Sequence, residues 1–205
     1  MRQKRLKNVD KELMQKLDVV TDVTKIVFDY KYRKIHLEIG SGKGNFITKM
    51  ANAFPDELFI AIEKNINVCY RIVEKRDDIK LNNLIIILGD SNELLEYLDN
   101  KSVDNIYLNF SDPWPKKKHH KRRLTYGTFL KKYKKVLKEN GVIQFRTDHF
   151  DLFNDSIEYF KDEFVEVEPD FDYRGNEFYT EYEEKKRKIG KIYQCKVSGF
   201  NEKIV

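Results

Sequence analysis

The sequence predicts an α/β fold built on a doubly wound, mostly parallel sheet. Short apolar runs alternate with amphipathic segments along most of the chain, which is the pattern of repeated βα units. Successive runs begin about 20 to 40 residues apart, which leaves room for a right-handed crossover helix between parallel strands. No internal repeat or linker rich in proline and glycine interrupts the pattern. One compact domain is therefore expected for most of the chain.

Each strand is predicted from an apolar or alternating run. Five runs are expected to form the parallel part of the sheet: Ile35–Ile39, Leu58–Ile62, Leu84–Leu88, Val103–Leu108 and Val142–Phe145. Beyond residue 150, Phe164–Val167 and Lys191–Val197 alternate well enough to close the sheet. Gly141 is predicted to end the helix that precedes the fifth strand, because glycine is common just after a helix C-terminus.

Composition limits the class of protein. The chain has 205 residues, of which 40% are apolar, enough for a single core. We predict a basic arm and one helix in residues 1–30 and a single domain in residues 31–205. Cys69 and Cys195 lack CxxC spacing, and no histidine has a ligand-like partner, so we predict neither a disulfide framework nor a metal site. No apolar run approaches ~18 residues and no leader peptide is recognisable, so a cytoplasmic protein without membrane association is expected.

The first predicted strand runs into three glycines, Gly40, Gly42 and Gly44. Glycines at a strand end let a ligand touch the backbone. A dinucleotide fold would place its third glycine or alanine at residue 45, which is asparagine, so NAD and FAD are disfavoured. The spacing resembles the first motif of class I S-adenosylmethionine methyltransferases. A turn that only tightens packing is the alternative.

Acidic residues follow the next two strands. Glu63 ends the second predicted strand and Asp90 follows the third, while Glu38 precedes the glycines. A carboxylate about 20 residues past such glycines can accept hydrogen bonds from ribose hydroxyls, and one after the third strand can reach an adenine amino group. The alternative for Asp90 is a capping box with Glu93 at the start of a helix.

The segment Asn109–Arg123 carries the strongest chemical signal. Asp112 stands at the end of the fourth predicted strand, and Pro113 and Pro115 flank the only tryptophan. Six of the eight residues 116–123 are lysine or arginine, which predicts an anionic partner. A solvated loop or a localisation signal is the alternative.

Together these motifs resemble the bacterial tRNA (guanine-N7)-methyltransferase family over nearly the whole chain. The matching segments, in order, are Leu37–Gly44, Asn109–Lys117, His120–Leu124 and Thr180–Glu183. The resemblance implies a Rossmann-like, seven-stranded sheet whose last strand is antiparallel. It also implies S-adenosylmethionine as cofactor, S-adenosylhomocysteine as product, and a guanosine in the variable loop of tRNA as substrate.

The resemblance and the charge pattern assign three sets of residues. Expected at the cofactor are Glu38, Gly40, Gly42, Gly44, Glu63, Asp90 and Asp112. Expected at the target nucleotide are Lys116, Asp148, Thr180, Glu181, Tyr182 and Glu183. Expected on RNA phosphates are Lys117, Lys118, His120, Lys121, Arg122 and Arg123. Asp112 is the predicted catalytic residue, accepting a hydrogen bond from the guanine N1-H or amino group as positive charge develops on the base.

Several alternatives stay open at the level of sequence. Thr180 and Glu183 form a capping-box pattern before a basic helix. Asp148 has a helix cap as its alternative role, and Trp114 stacks on a base or packs in the pocket wall. The rival functions are a DNA amino-methyltransferase and a non-catalytic RNA-binding subunit. Monomer and homodimer are equally compatible with the sequence.

Overall fold

The computed structural model describes residues 6, 8–26 and 32–201. The basic residues of the predicted arm, Arg2, Lys4, Arg5 and Lys7, lie outside the described residues. The strands are β1 Ile35–Ile39, β2 Leu58–Glu63, β3 Leu84–Leu88, β4 Val103–Asn109, β5 Leu137–Thr147, β6 Phe164–Asp170 and β7 Tyr193–Phe200. The α-helices are α1 Lys11–Lys16, α2 Asn45–Ala53, α3 Ile66–Asp78, α4 Ser91–Tyr97, α5 Gly127–Val136, α6 Phe150–Glu163 and α7 Glu181–Lys186. Two 3-10 helices cover Val23–Lys25 and Lys117–Arg122.

The seven strands follow the order β3-β2-β1-β4-β5-β7-β6. Strand β7 runs antiparallel to β5 and to β6. The predicted mostly parallel sheet with an antiparallel last strand is therefore confirmed. The chain divides into two compact units between Tyr97 and Leu98, and each unit is described separately. Among the described residues, no helix has the length and apolar character needed to cross a membrane.

The first unit holds three parallel strands in register. Ile39 pairs with Ile62, and Glu63 pairs with Leu88, so the carboxyl ends of β1, β2 and β3 are level. Every residue of β1 is buried, as expected for parallel strands whose two faces are both covered. Helices α2 and α3 bury apolar faces that include Phe46. The residues that follow these strands consequently share one edge.

The second unit pairs β4 with β5 in parallel and β5 with β7 in antiparallel fashion. Here the prediction for Gly141 is wrong, because α5 ends at Val136 and β5 already begins at Leu137. Val103 of β4 pairs with Leu137 of β5, but Asn105 pairs with Val142. The β5 residues between Leu137 and Val142 therefore form an irregularity in the pairing. A Cβ at Gly141 would lie 2.9 Å from the Lys138 carbonyl oxygen, so close backbone approach accounts for this glycine.

Candidate functional site

In the first unit, the turn Gly40–Gly44 connects β1 to α2. The backbone N-H groups of Gly40 and Ser41 both donate to the Ile62 carbonyl, at 2.9 and 3.1 Å. Gly40, Gly42 and Gly44 have φ angles of 74°, 55° and 78°. These values lie in the left-handed region, where side chains larger than glycine are strained. The turn is therefore fixed to the end of β2 and depends on its glycines.

The three glycines serve different purposes. A Cβ added at Gly40 or Gly42 would meet no atom within 4 Å, whereas one at Gly44 would lie 2.8 Å from Ile72 Cγ2 of α3. Gly44 thus allows the helix to pack closely against the turn. The backbone at Gly40 and Gly42 faces open space, which is what close approach of a ligand requires. The packing-only alternative explains Gly44 but gives no reason for the open space at the other two.

Glu63 is held beside this turn by two backbone donors. Its Oε2 accepts from the Gly42 N-H at 3.1 Å, and its Oε1 accepts from the Asn65 N-H at 2.8 Å. Burial raises the pKa of Glu63 above its usual value, and the two N-H groups and the charge of Lys64 partly oppose this. The carboxylate oxygens are thereby fixed in direction next to the open glycine backbone.

Glu38 and Asp90 occupy contrasting environments near the same edge. The side chain of Glu38 is completely buried in β1. Asp90 is exposed, and its Oδ1 accepts from the Asn92 N-H at 2.8 Å, so it caps α4 as the alternative reading predicted. The predicted contact of Asp90 with a cofactor stays a prediction beside this confirmed cap.

The carboxylates and the open glycine backbone of this unit fit an adenosine-containing cofactor. Glu63 ends β2 and Asp90 follows the neighbouring β3, and the Gly89 N-H donates to the Glu63 carbonyl at 3.2 Å. Carboxylates accept from ribose hydroxyls and from an exocyclic amino group, while open glycine backbone admits the remainder of such a ligand. Among the described residues, no group of three or more histidine, cysteine, aspartate or glutamate side chains could hold a metal ion.

In the second unit, the segment Phe110–Pro115 forms the turn after β4, which we name the Asp112 turn. Phe110 and Trp114 have φ angles of 53° and 41°. For residues with a Cβ this conformation costs roughly 1 to 2 kcal/mol each. Such strain persists only where surrounding contacts enforce it, and it is concentrated at functional sites. The turn is accordingly a strong candidate for a site rather than a simple connection.

Asp112 lies at the centre of this turn and is exposed. Within residues 8–26 and 32–201, the carboxylate has no hydrogen-bond or ion-pair partner. The start of the turn is fixed, since the Phe110 N-H donates to the Arg146 carbonyl at 2.8 Å. The geometry thus presents an available carboxylate on a constrained backbone.

The basic run is not uniform. Lys116, Lys117, Lys118, Lys121 and Arg122 are exposed, and the contact of Lys116 with the target nucleotide and of the other four with phosphates stays a prediction. The Arg122 guanidinium lies 5.0 Å from the centre of the Trp114 ring, and the His119 ring meets the same indole edge-on at 5.9 Å. The indole is therefore half-covered by its own neighbours in sequence.

Arg123 and His120 contact each other and are less exposed than the lysines of the basic run. Arg123 is only 2% exposed. It donates to the Pro113 carbonyl at 2.8 Å, pairs with Asp155 at 2.6 Å, and has His120 Nε2 at 2.9 Å. A side chain held in this way is not available to RNA phosphates. The predicted phosphate contact does not fit Arg123, because backbone carbonyls and a carboxylate already occupy its donors.

Asp148, at the end of β5, belongs to a second polar cluster. Its Oδ2 lies 2.8 Å from Lys186 Nζ and accepts from the Tyr182 hydroxyl at 3.2 Å. Hydrogen bonding of the Lys186 ammonium to Asp148 first, and then to Tyr182, raises the pKa of Lys186. His149 is the N-cap residue of α6 and that cap has no side-chain bond, so the capping alternative for Asp148 is wrong.

Tyr182 links this cluster to the Asp112 turn. Its ring centre lies 5.2 Å from that of Phe110, at an interplanar angle of 55°. The tyrosine is 45% exposed, which leaves aromatic surface for a ligand. Lys116 is exposed and Glu181 is half-buried, and the contact of each with the target nucleotide stays a prediction.

Thr180 caps α7, as the sequence pattern predicted. Its Oγ1 accepts from the Glu183 N-H at 3.0 Å. The Glu183 side chain is fully buried, with Oε2 3.3 Å from Arg146 Nη1 and Oε1 3.0 Å from Arg187 Nε. Both oxygens of Glu183 are thus engaged by guanidinium groups, and this geometry gives no support to its predicted contact with the target nucleotide.

Arg146 is a buried arginine next to these residues that the sequence pattern did not single out. It is 1% exposed and donates to the Gln194 Oε1 at 3.0 Å, the Phe178 carbonyl at 2.9 Å and the Tyr173 hydroxyl at 2.7 Å. A signal was present, since an arginine inside an apolar strand must find a carboxylate or several acceptors. Arg146 and Glu183 together join β5 to α7, the elements that carry Asp148 and Tyr182.

Comparison with known proteins identifies the family. A family described as "Putative methyltransferase" matches residues 32–195. The tRNA (guanine-N(7)-)-methyltransferase of Staphylococcus aureus (strain MSSA476) is 40% identical over 181 residues, covering 84% of each chain. That of Streptococcus mutans is 43% identical over 77% of each chain. That of Staphylococcus haemolyticus is 49% identical over 128 residues, where the chain spans 60% of the relative's length.

Solved structures agree on the fold alone, since their sequences are distant. The 16S rRNA methyltransferase KamB is 13% identical with a TM-score of 0.62, over 97% of both chains. The tRNA (m1A58) methyltransferase TrmI from Aquifex aeolicus is 14% identical with a TM-score of 0.59, over 90% of this chain and 65% of that one. The fold is thus that of class I methyltransferases. Given the extent of the sequence matches, the chain belongs to the tRNA (guanine-N(7)-)-methyltransferase family.

Proposed function

We propose that this chain transfers the methyl group of S-adenosylmethionine to N7 of a guanosine in tRNA, in the variable loop. The observation that carries the proposal is the Asp112 turn, which presents an exposed carboxylate, without a partner among the described residues, on a strained backbone at the end of β4. Family membership supplies the reaction class. The geometry supplies residues suited to a purine that gains positive charge.

On the cofactor side, we propose that Glu63 accepts from both ribose hydroxyls and that Asp90 receives the adenine amino group. The open backbone at Gly40 and Gly42 would admit the remainder of the ligand. Glu63 keeps its orientation through the Gly42 and Asn65 N-H groups, so little reorganisation is needed on binding. Bound S-adenosylmethionine supplies an electrophilic methyl group on a sulfonium.

The chemical step requires no base. The lone pair of guanine N7 forms the new bond to the methyl carbon, the carbon-sulfur bond breaks, and its electron pair stays on sulfur. No proton moves, and the positive charge passes from sulfonium to purine. Catalysis therefore depends on holding N7 in line with the methyl group at near-attack distance. Residues that fix the base contribute more than residues that exchange protons.

Asp112 is suited to stabilise the charged purine. Methylation makes the guanine N1-H and amino group better donors, so a carboxylate that accepts from them interacts more strongly in the transition state than before it. Tyr182, with its exposed ring beside Phe110, offers a stacking surface for the same base. The exposure of Lys117, Lys118, Lys121 and Arg122 supports their neutralising RNA phosphates, and Lys116 would contact the target nucleotide.

A transfer assay tests this proposal. Labelled methyl groups from S-adenosylmethionine are offered to unmodified tRNA transcripts and, separately, to duplex DNA, with wild type, Asp112→Asn and Glu139→Gln. Glu139 is an exposed acid of β5 in the same unit and serves as the charge-matched control. We expect incorporation into tRNA alone, a large loss in Asp112→Asn, and full activity in Glu139→Gln. Incorporation into DNA, or binding of S-adenosylmethionine without transfer to tRNA, would contradict the proposal.

A further inference from the structure

We propose that Arg123 is a positioning residue that holds the Asp112 turn in its strained conformation. This inference rests on the proposed function, because it assigns the guanidinium a task in presenting Asp112 to the guanine. It separates Arg123 from the neighbouring Arg122, which has the same chemistry but lies exposed against the indole of Trp114. Two adjacent arginines in one basic run would thus have different tasks.

The contacts of Arg123 converge on the backbone of the turn. Nε donates to the Pro113 carbonyl at 2.8 Å, and Nη2 donates more weakly to the Trp114 carbonyl at 3.4 Å. These carbonyls belong to the two residues that follow Asp112. The guanidinium therefore grips the peptide units immediately next to the carboxylate that the proposed reaction uses.

Other side chains fix the orientation of the guanidinium. Nη1 pairs with Asp155 Oδ2 of α6 at 2.6 Å, and Nη2 lies 2.9 Å from His120 Nε2. His120 in turn has the Tyr159 hydroxyl at 3.4 Å from Nδ1. The buried positive charge is thus balanced by Asp155, and the pairing with α6 sets the plane of the guanidinium group. These contacts of Arg123, which we call the clamp, fix the Asp112 turn relative to α6.

The turn needs such a clamp. Phe110 and Trp114 both adopt left-handed backbone conformations that aromatic residues rarely take. A strained turn relaxes unless its surroundings over-determine it. The start of the turn is held by the Phe110 N-H bond to Arg146, and Arg123 holds its far end. Removing the far restraint should let Trp114 leave the left-handed region and move Asp112 with it.

Lysine cannot replace arginine in this role. A guanidinium presents donors in a fixed planar fork and serves two carbonyls and a carboxylate at once, whereas an ammonium is a single point charge on a flexible stem. Arg123→Lys therefore keeps the charge but loses the geometry. A phosphate ligand would tolerate that exchange better than a clamp. The conservative substitution consequently separates the two roles.

The test compares Arg123→Lys with Asp155→Asn and with Arg174→Lys. Asp155→Asn removes the counterion of Arg123. Because the Asp155 side chain is half-exposed, this variant should fold even if Arg123→Lys does not. Arg174 is a highly exposed arginine of the same unit, paired with Asp172, and serves as the control. Because the chain has one tryptophan, acrylamide quenching of its fluorescence reports on Trp114 alone.

We expect acrylamide to quench Trp114 more efficiently in Arg123→Lys and Asp155→Asn than in wild type, with Arg174→Lys unchanged. We also expect kcat for tRNA methylation to fall ~10- to 100-fold in Arg123→Lys, with little change in KM for tRNA. Unchanged quenching in both folded variants would overturn the clamp. So would a raised KM at unchanged kcat, which is the signature of a lost phosphate contact. Altered quenching in a protein whose wild type methylates no tRNA would uphold the clamp and refute the proposed function.

Discussion

Glu183 provides the sharpest test of how the second unit is built. The Glu183→Gln substitution keeps the size of the side chain but removes the negative charge shared by Arg146 and Arg187. The carboxylate oxygens lie 3.3 Å from Arg146 Nη1 and 3.0 Å from Arg187 Nε, and the Glu183 and Arg146 side chains are 0% and 1% exposed. Solvent therefore cannot replace the lost charge.

Breaking a buried pair by removing one partner typically costs about 3 to 5 kcal/mol, because a buried charge is left uncompensated. For a domain of this size each kcal/mol lowers the melting temperature by roughly 2 to 4 °C. The expected loss for Glu183→Gln is therefore ~6 to 20 °C. The neighbouring Glu184 is exposed, so Glu184→Gln should cost less than about 1 kcal/mol and provides a matched control.

Thermal unfolding followed by circular dichroism measures both variants under identical conditions. A double variant, Glu183→Gln with Arg146→Met, should lose less stability than the sum of the two single variants, because it also removes the charge left unpaired. A Glu183→Gln protein that melts like wild type but has a raised KM for tRNA would refute this reasoning. That result would indicate that Glu183 contacts the substrate.

Three further predictions concern the glycine turn, a helix cap and the thiols. Gly44→Ala should lower the free energy of unfolding more than Gly40→Ala, because only the former drives a Cβ into α3; equal losses in urea denaturation would contradict this. Asp90→Ala should lower the free energy of unfolding by ~1 kcal/mol and Asp90→Asn by only a few tenths, since asparagine also caps helices. Similar losses for both variants would show that Asp90 does not stabilise α4 as a cap. Burial raises the pKa of the Cys69 and Cys195 thiols to about 12, so at pH 8 native protein should resist a thiol reagent that modifies both in urea. Fast labelling of the native protein would be inconsistent with that burial.

The strands of the sheet were predictable because each is an apolar or alternating run of suitable length. Ile35–Ile39 and Leu84–Leu88 match their predicted bounds; Leu84–Leu88 is apolar throughout, whereas His36 and Glu38 interrupt the apolar run of β1 although both are buried. Gly141 was misinterpreted because glycine has two uses that look alike in sequence. It permits a left-handed helix end and it permits close backbone approach, and only the observed β5 shows which applies.

Local chemistry was also predictable, but long-range pairing was not. The caps formed by Asp90 and Thr180 depend on residues two or three positions away, so the sequence pattern predicted both. Besides Arg187, four residues later, Glu183 pairs with Arg146, 37 residues earlier in the chain, and nothing local indicates that second pairing. Charge density predicted a basic surface for residues 116–123, but it could not show that Arg123 turns inward to the carbonyls of its own turn.

The most direct test of the central claim is the chemical identity of the product. Unmodified tRNA is incubated with wild-type protein and S-adenosylmethionine, digested to nucleosides and analysed by mass spectrometry, while N7-specific strand scission of a parallel sample locates the modified residue. We expect 7-methylguanosine at one position of the variable loop, and we expect it to be lost in Asp112→Asn protein that still binds S-adenosylmethionine. A methyl group on another atom or another base, or undiminished 7-methylguanosine formation by Asp112→Asn, would rule out the proposed reaction or the role of Asp112 in it.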